Sequence, residues 1–240
     1  MCESFVQIVT NSSLFVIVNY NTFFLAKKFK VKKILYLASS CIYPKNAKNP
    51  LNTNSIMTDE LESTNQSYAI SKLTGIEFCK SLREEFNINS IAVIPSTIYG
   101  PGDNFEDDNA HVISSLIRKF YNAKINNQKI ITLWGTGKPI RDFIYLDDLV
   151  DSLIYIMLKY NDTKPINVSS GEPINIKKLA NHIKKIVNFD VKILFDNNYP
   201  DGTPIKILNT KNLKKIGWKP KITTLKGLKA TYKWYLKNIN

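Results

Sequence analysis

Residues 34–41 read Ile34-Leu-Tyr-Leu-Ala-Ser-Ser-Cys41, and farther on comes Tyr68-Ala-Ile-Ser-Lys72. The first is a short apolar run between a basic segment and a Ser pair, the pattern of a buried strand in a parallel sheet. The second lies inside Leu61–Phe86, where Leu73, Ile76, Phe78 and Leu82 recur at helical spacing and mark the buried face. Ser90–Ser96 is a second apolar strand, ending in Pro95 and the turn-rich Tyr99–Asn104. Strand, helix, strand in this order predicts an α/β fold with a parallel sheet.

Outward from this unit the alternation continues. His111–Lys124 reads as a helix, Ile130–Leu133 as a strand, and Leu149–Tyr160 as a helix opened by Asp147 and Asp148. Carboxylates suit a helix start, where free N–H groups and the positive dipole end lie. Pro165–Val168 is a third buried strand, and helices over 176–188 and 225–237 surround a strand at 191–195. Residues 1–20 leave two readings open, with Phe5–Val9 and Leu14–Val18 as strands or as the start of a helix. The apolar run Leu14–Ala26 is too short to span a bilayer and has no export-signal order. It is expected to be a buried or half-buried element.

The 240 residues are 44% hydrophobic, enough for a full core, and carry a net charge of +13. Arg occurs only at positions 83, 118 and 141, and the lysines spread over helix faces such as 177–185 and 211–221. That distribution solvates a surface and argues against a nucleic-acid partner, while an acidic small ligand such as a nucleotide diphosphate suits it. Cys2, Cys41 and Cys79 have neither metal-ligand spacing nor a disulfide framework, which predicts a reducing, cytoplasmic setting and no metal.

The first of nine glycines is Gly75, so no phosphate-cradling turn precedes the strand at Ile34. Gly100-x-Gly102 and Gly135-x-Gly137 are not followed by a suitable helix at the required spacing. A strand at Ile34–Ser39 without its usual neighbour would be a sheet edge, mended by residues 5–18 if those were strand.

Tyr-x-x-x-Lys places both side chains on one helix face, where an ammonium can lower the phenol's pKa and hold a cofactor ribose. The pattern occurs at Tyr68/Lys72, Tyr155/Lys159 and Tyr160/Lys164. Only the first follows a strand ending in Ser39-Ser40 and precedes one ending in Pro95; the others read as amphipathic helix surface.

Seven segments extend the pattern: 39–45 (Ser-Ser-Cys-Ile-Tyr-Pro-Lys), 68–72, 99–105 (Tyr-Gly-Pro-Gly-Asp-Asn-Phe), 110–113 (Ala-His-Val-Ile), 133–137 (Leu-Trp-Gly-Thr-Gly), 141–148 (Arg-Asp-Phe-Ile-Tyr-Leu-Asp-Asp) and 200–204 (Pro-Asp-Gly-Thr-Pro). Together, from about Val31 onward, they resemble the GDP-L-fucose synthase family of extended short-chain dehydrogenase/reductases. The Cys after the Ser pair and the later His are its most diagnostic marks.

The resemblance implies an NAD(P)-binding Rossmann-like sheet, N-terminally truncated here, with a smaller C-terminal α/β substrate-binding lobe. It divides the chain into residues 1–104, a partial Rossmann-like domain with strands four and five and the catalytic helix, and 105–240, mainly the lobe, with 140–170 returning to the first. It implies C3/C5 epimerisation and NADPH-dependent C4 reduction of GDP-4-keto-6-deoxy-D-mannose. Ser39, Cys41, Tyr68, Lys72 and His111 are then catalytic. Leu37, Ala38, Ser39, Ser40, Lys72, Pro95, Ser96, Thr97, Ile98 and His111 would meet NADPH/NADP, and Lys119, Trp134, Arg141 and Asp201 the GDP-sugar. His182 receives no role. A homodimer is implied for the full-length family, with no membrane partner. Two readings stay open beside this one: another nucleotide-sugar 4-reductase or epimerase of the same family, and a catalytically inert GDP-sugar-binding module. Ala38 for the usual Gly, Ile205 for the usual Arg, Ser96-Thr97 for the common Thr-Asn and poorly matching first 30 residues are departures from the pattern.

Overall fold

A computed structural model describes residues 2–105 and 110–239, with side chains from Leu14 onward. In chain order the elements are α1 (Cys2–Lys28), β1 (Lys33–Leu37), α2 (Gln66–Phe86), β2 (Asn89–Pro95), β3 (Thr97–Tyr99), α3 (Val112–Ile125), β4 (Ile130–Trp134), β5 (Ile140–Arg141) and β6 (Phe143–Tyr145). There follow α4 (Leu146–Lys159), β7 (Ile166–Val168), β8 (Ile174–Asn175), α5 (Ile176–Val187), β9 (Lys192–Asp196), β10 (Ile205–Lys206), α6 (Lys211–Lys215) and α7 (Thr224–Asn238). The backbone divides into two compact units. One runs to Ser96 and includes Val150–Val168 and Leu208–Lys219; the other comprises Thr97–Leu149, Ser169–Ile207 and the chain from Pro220. The division therefore falls at Ser96, where 104 was expected; the return covers Val150–Val168, against 140–170, and is joined by Leu208–Lys219.

In the first unit β1, β2 and β7 form a parallel sheet in the order β1-β2-β7. Lys33 pairs with Asn89 through to Leu37 with Val93, and the ladder continues with Ala38 N–H donating to Val93 O at 2.8 Å. The C-terminal ends of β1 and β2 thus lie side by side, the end at which parallel sheets place ligands. α2 packs on this sheet through Ala69, Gly75, Ile76, Cys79 and Leu82, and ends where Asn87 turns left-handed and donates to Leu82 O. Leu73 and Phe78, expected on the buried face, are only partly covered. Gly75 is required by contact: a Cβ there would strike the Tyr36 ring of β1. That close approach offsets the ~1 kcal/mol a helix interior loses with Gly.

α1 settles the open reading of residues 1–20 as helix. β1 therefore keeps an edge that no described strand covers, because a helix lends no backbone groups to a ladder. Of the buried and half-buried readings of Leu14–Ala26 the second describes it: Asn19, Phe23 and Ala26 are buried, while Leu14 and Ile17 are both 55% exposed. From Leu14 onward apolar residues stand on more than one side of the helix, but α2 and β1 meet only one of them. Phe23 lies 5.7 Å from the Tyr36 ring and 5.5 Å from Phe78, and Asn19 Nδ2 donates to Ser71 O at 3.0 Å. No described helix is long and apolar enough to cross a membrane.

The second unit buries one core of Tyr99, Phe105, Ile113, Phe120, Phe143, Leu179, Ile183 and Leu228, among others. Around it β3 pairs with β6 and β4 with β9, both parallel, and β5 lies between β10 and β8. The α5 start is set by Asn175, whose side chain accepts from Lys178 N–H at 2.7 Å. Asp147 and Asp148 do stand in the first turn of α4, but buried Asp148 also accepts from the backbone N–H groups of Lys221 and Ile222, tying the start of the α7 segment to α4.

Candidate functional site

In the first unit the ends of β1 and α2 bring four of the expected residues together. Ser39 caps the short 3-10 turn Ser40–Ile42, its Oγ accepting from Cys41 N–H at 3.3 Å. Tyr68, in the first turns of α2, hydrogen-bonds Ser39 and couples electrostatically to Cys41. Lys72, one turn on, donates to Leu37 O at 3.1 Å and lies 5.8 Å from the Tyr68 ring centroid. Phe15 of α1 closes the cluster, edge-on to Tyr68 at 5.7 Å and beneath the Lys72 ammonium at 5.1 Å.

The electrostatics correct one expectation. Burial pushes the Tyr68 phenol up, only partly opposed by the Ser39 hydrogen bond, and burial pulls the Lys72 ammonium down. The phenol therefore lies above its ordinary value, opposite to the direction that the Tyr-x-x-x-Lys spacing alone suggested. Tyr68 holds its proton through neutral pH, which suits a donor. The other two matches put their hydroxyls on structural carbonyls: Tyr155 on Ile216 O at 2.6 Å, and Tyr160 on Lys164 O at 2.8 Å. Tyr160 is buried, not surface.

Whether these residues suit a nicotinamide cofactor can be read from unmet polar groups. Ser96 Oγ, just past the end of β2, is buried without a hydrogen-bond partner among the described residues, an orphan within the stretch Pro95–Ile98 expected at the nicotinamide. With Tyr68, Lys72 and the carbonyl end of β1, the nicotinamide-ribose end of such a cofactor fits. No glycine precedes Gly75, so no Gly-rich turn leads into β1.

In the second unit His111 precedes α3 and makes no capping bond; its Nδ1 lies 3.5 Å from Asp103 Oδ1. The acidic run 106–108 just before it lies outside the described residues. Asp103 also accepts from the Ser114 hydroxyl and from Asn104 N–H at 2.9 Å. Burial pushes the Asp103 carboxyl up, but the hydrogen bonds from His111, Ser114 and Asn104 outweigh it and bring it below its usual value. The Asp103 hydrogen bond, with its charge, raises His111 above the usual 6.5 against a smaller effect of burial. Sequence reading missed Asp103, although it stands in the quoted Gly-Pro-Gly-Asp segment; the spacing to His111 spans a turn with no period to reveal it. The raised imidazole contributes stability that is full below pH 6.5 and is lost as pH rises through its folded value. The lowered carboxyl contributes above pH 3.8 and loses it as pH falls through its own folded value. Asp103→Asn is expected to move the His111 midpoint in an NMR titration to lower pH while His182 stays in place. An unmoved His111 would show that the pair is not formed.

A cavity of about 250 Å³ in this unit is lined by Trp134, Arg141, Pro200, Asp201, Thr97 and Val112, among others. The Lys119 ammonium lies 5.2 Å from the Trp134 ring centroid, and Tyr199 stacks on Trp134 at 4.5 Å and 10°. Asp201 accepts from Thr136 N–H at 2.8 Å and from its hydroxyl at 2.6 Å. Gly135, at φ +76°, leaves room for that carboxylate where any Cβ would strike it. Arg141 donates through Nη1 to Thr203 O at 2.6 Å and to Ile140 O at 3.0 Å. The strap 199–204 is thereby held over the cavity by both residues. Lys119, Trp134, Arg141 and Asp201 lie near one another here, and Tyr199 joins them without having been singled out. Within the described residues no group of His, Cys, Asp and Glu could hold a metal ion.

Residues 15–176 match the NAD dependent epimerase/dehydratase family. A protein of Oryza sativa subsp. japonica named "Probable GDP-L-fucose synthase 1" is 43% identical over 209 residues, covering 87% of this chain and 64% of its own length. The GDP-L-fucose synthase of Escherichia coli strain K12 is 39% identical over 217 residues, covering 87% of this chain and 68% of its own length. The chain thus spans about two thirds of the relatives it matches. A solved GDP-L-fucose synthetase from Naegleria fowleri bound to NADP superimposes with a TM-score of 0.87 at 27% identity, over 93% of this chain and 72% of that one. With the parallel β1-β2-β7 sheet and the cluster at its carboxyl end, these matches make the chain a member of the NAD dependent epimerase/dehydratase family.

Proposed function

We propose that the chain carries the catalytic and sugar-nucleotide-binding parts of a GDP-L-fucose synthase, converting GDP-4-keto-6-deoxy-D-mannose to GDP-L-fucose. The observation that carries this reading is the gathering of Ser39, Cys41, Tyr68 and Lys72 at the carboxyl end of β1, with a cysteine inside the Ser-Tyr-Lys cluster. A simple ketone reductase needs no such thiol. An epimerase can use one, because a C4 ketone acidifies the protons at C3 and C5, and inversion takes a group that removes a proton and another that returns one.

In this reading Cys41 and His111 are those two groups. Asp103 keeps more of His111 protonated near neutral pH, which suits it to proton return. Ser39 and Tyr68 hydrogen-bond the C4 oxygen while it carries the enolate charge, and Tyr68 then gives its proton to that oxygen. Reduced nicotinamide, when bound, supplies the hydride for C4. Lys72 holds its ribose end, and the Ser96 hydroxyl finds a partner there. Arg141 has the planar fork suited to a diphosphate, and Trp134 offers a flat face to a base.

Calorimetric titration of the chain with GDP tests the reading. Micromolar binding is expected, at least about tenfold weaker in Arg141→Ala, which is the loss of roughly 1.4 kcal/mol. No GDP binding, or equal binding by the variant, rejects it. Light scattering on the same samples reads whether two copies pair, the state the resemblance implies.

A further inference from the structure

We propose that Asn65 is a positioning residue for Cys41, its side-chain amide holding the thiol sulfur by a hydrogen bond that strengthens as the sulfur becomes anionic. The inference rests on the reading of Cys41 as an acid/base group and adds the residue that prepares it.

Asn65 stands at the N-cap of α2, three residues before Tyr68. Asn is favoured at that position because its Oδ1 can accept from the first free N–H groups of the helix. Here it makes no such bond. Its Nδ2 lies instead 3.5 Å from Cys41 Sγ, within reach for a sulfur acceptor. Its Oδ1 is buried and has no hydrogen-bond partner among the described residues. A residue that gives up its local role and leaves a buried acceptor unmet departs from the rules that stabilise helix starts, and such departures gather at functional sites.

The orientation of the amide follows from the same accounting. Turned over, it would leave a buried NH2 with two donors unmet, in place of one acceptor. With Nδ2 toward sulfur, Cys41 is held from two directions: its backbone N–H on Ser39 Oγ and its Sγ on Asn65. A neutral thiol accepts hydrogen bonds weakly and a thiolate strongly, so the amide favours the form that can take a proton from carbon. In that step the C–H bond breaks, an S–H bond forms, and the electron pair passes to the C4 oxygen as enolate. The orphan Oδ1 is then the acceptor a hydroxyl of the bound sugar would satisfy.

The test needs neither substrate nor cofactor. Alkylation of Cys41 by iodoacetamide is followed across pH by mass spectrometry on the full chain. Cys79 serves as an internal control, since it is 5% exposed and burial pushes its thiol up to about 12. Tyr68, the titratable group coupled to Cys41 in this unit, is the same in every sample. Asn65→Ala is expected to move the profile to higher pH and slow alkylation at pH 7 by about three- to tenfold, a tenfold change in thiolate being one pH unit. Asn65→Asp should move it farther, because a carboxylate repels the thiolate. Asp is also a strong N-cap, so a shift in that variant cannot come from loss of the helix start. Profiles of both variants that overlay the wild type overturn the proposal. GDP binding is read separately, so the failure of this inference and of the functional reading are distinguishable.

Discussion

Tyr68→Phe is expected to slow reduction of the C4 ketone by ~10²–10⁴-fold, the usual worth of a positioned proton donor. The substitution removes one oxygen and keeps the ring, so the edge-on contact with Phe15 and the packing of α2 survive. What disappears is the hydroxyl that bonds Ser39 and that burial keeps protonated at neutral pH. Ser39 would remain to hold the C4 oxygen but would have to give up a far less acidic proton. The measurement is loss of nicotinamide absorbance in a chimera that joins this chain to the part of the rice relative it does not span. Tyr155→Phe and Tyr160→Phe are the controls, since their hydroxyls are bound to Ile216 O and Lys164 O. Near-silence of Tyr68→Phe beside a large loss in Tyr155→Phe would mean that the catalytic pair lies elsewhere.

The choice among those tyrosines was legible in the sequence because it depended on neighbours in order: a strand ending in Ser39, a helix, a strand ending in Pro95. Periodicity in long elements likewise carried through, with Ser90–Ser96 observed as β2 (Asn89–Pro95) and 176–188 as α5 (Ile176–Val187). Two-residue strands such as β5, β8 and β10 have no period to read and exist through their partners. α1 was undecidable because its apolar residues follow neither a helical stripe nor a strand alternation, with Asn19 on the buried side and Leu14 and Ile17 exposed. The reversed expectation at Tyr68 has a similar origin. Sequence spacing shows that an ammonium is near a phenol, whereas the burial that raises the phenol is a matter of packing, in which Phe15 of another helix lies edge-on to the Tyr68 ring. Asp103 and Asn65 escaped for the same reason: each acquires its role from a side chain brought to it by a turn, His111 in one case and Cys41 in the other.

Cys41→Ser is expected to reduce solvent-deuterium uptake at C3 and C5 of GDP-4-keto-6-deoxy-D-mannose by on the order of 10²-fold or more. This exchange precedes reduction and needs no nicotinamide, so the chain is assayed as it stands, in D2O with NMR detection of the sugar protons. The expectation follows from acidity. A thiol with a reference pKa near 8.5 is partly anionic close to neutral pH, whereas a serine hydroxyl holds its proton throughout the accessible range. Serine is nearly the same size and keeps the backbone bond from residue 41 to Ser39 Oγ, so the turn at Ser40–Ile42 is preserved. His111→Asn is the complementary change: its amide can still donate to Asp103, but it cannot carry a proton to carbon at neutral pH. If the two residues serve opposite faces of the sugar, His111→Asn should retain exchange without inversion, because removal and return from the Cys41 side remain available. Cys41→Ser should lose exchange and inversion together. Tyr68→Phe should slow exchange far less than it slows reduction, since Ser39 still holds the enolate oxygen. Unchanged uptake in both Cys41→Ser and His111→Asn would remove the epimerase chemistry from these residues and leave the cluster as a ketone-reducing site alone.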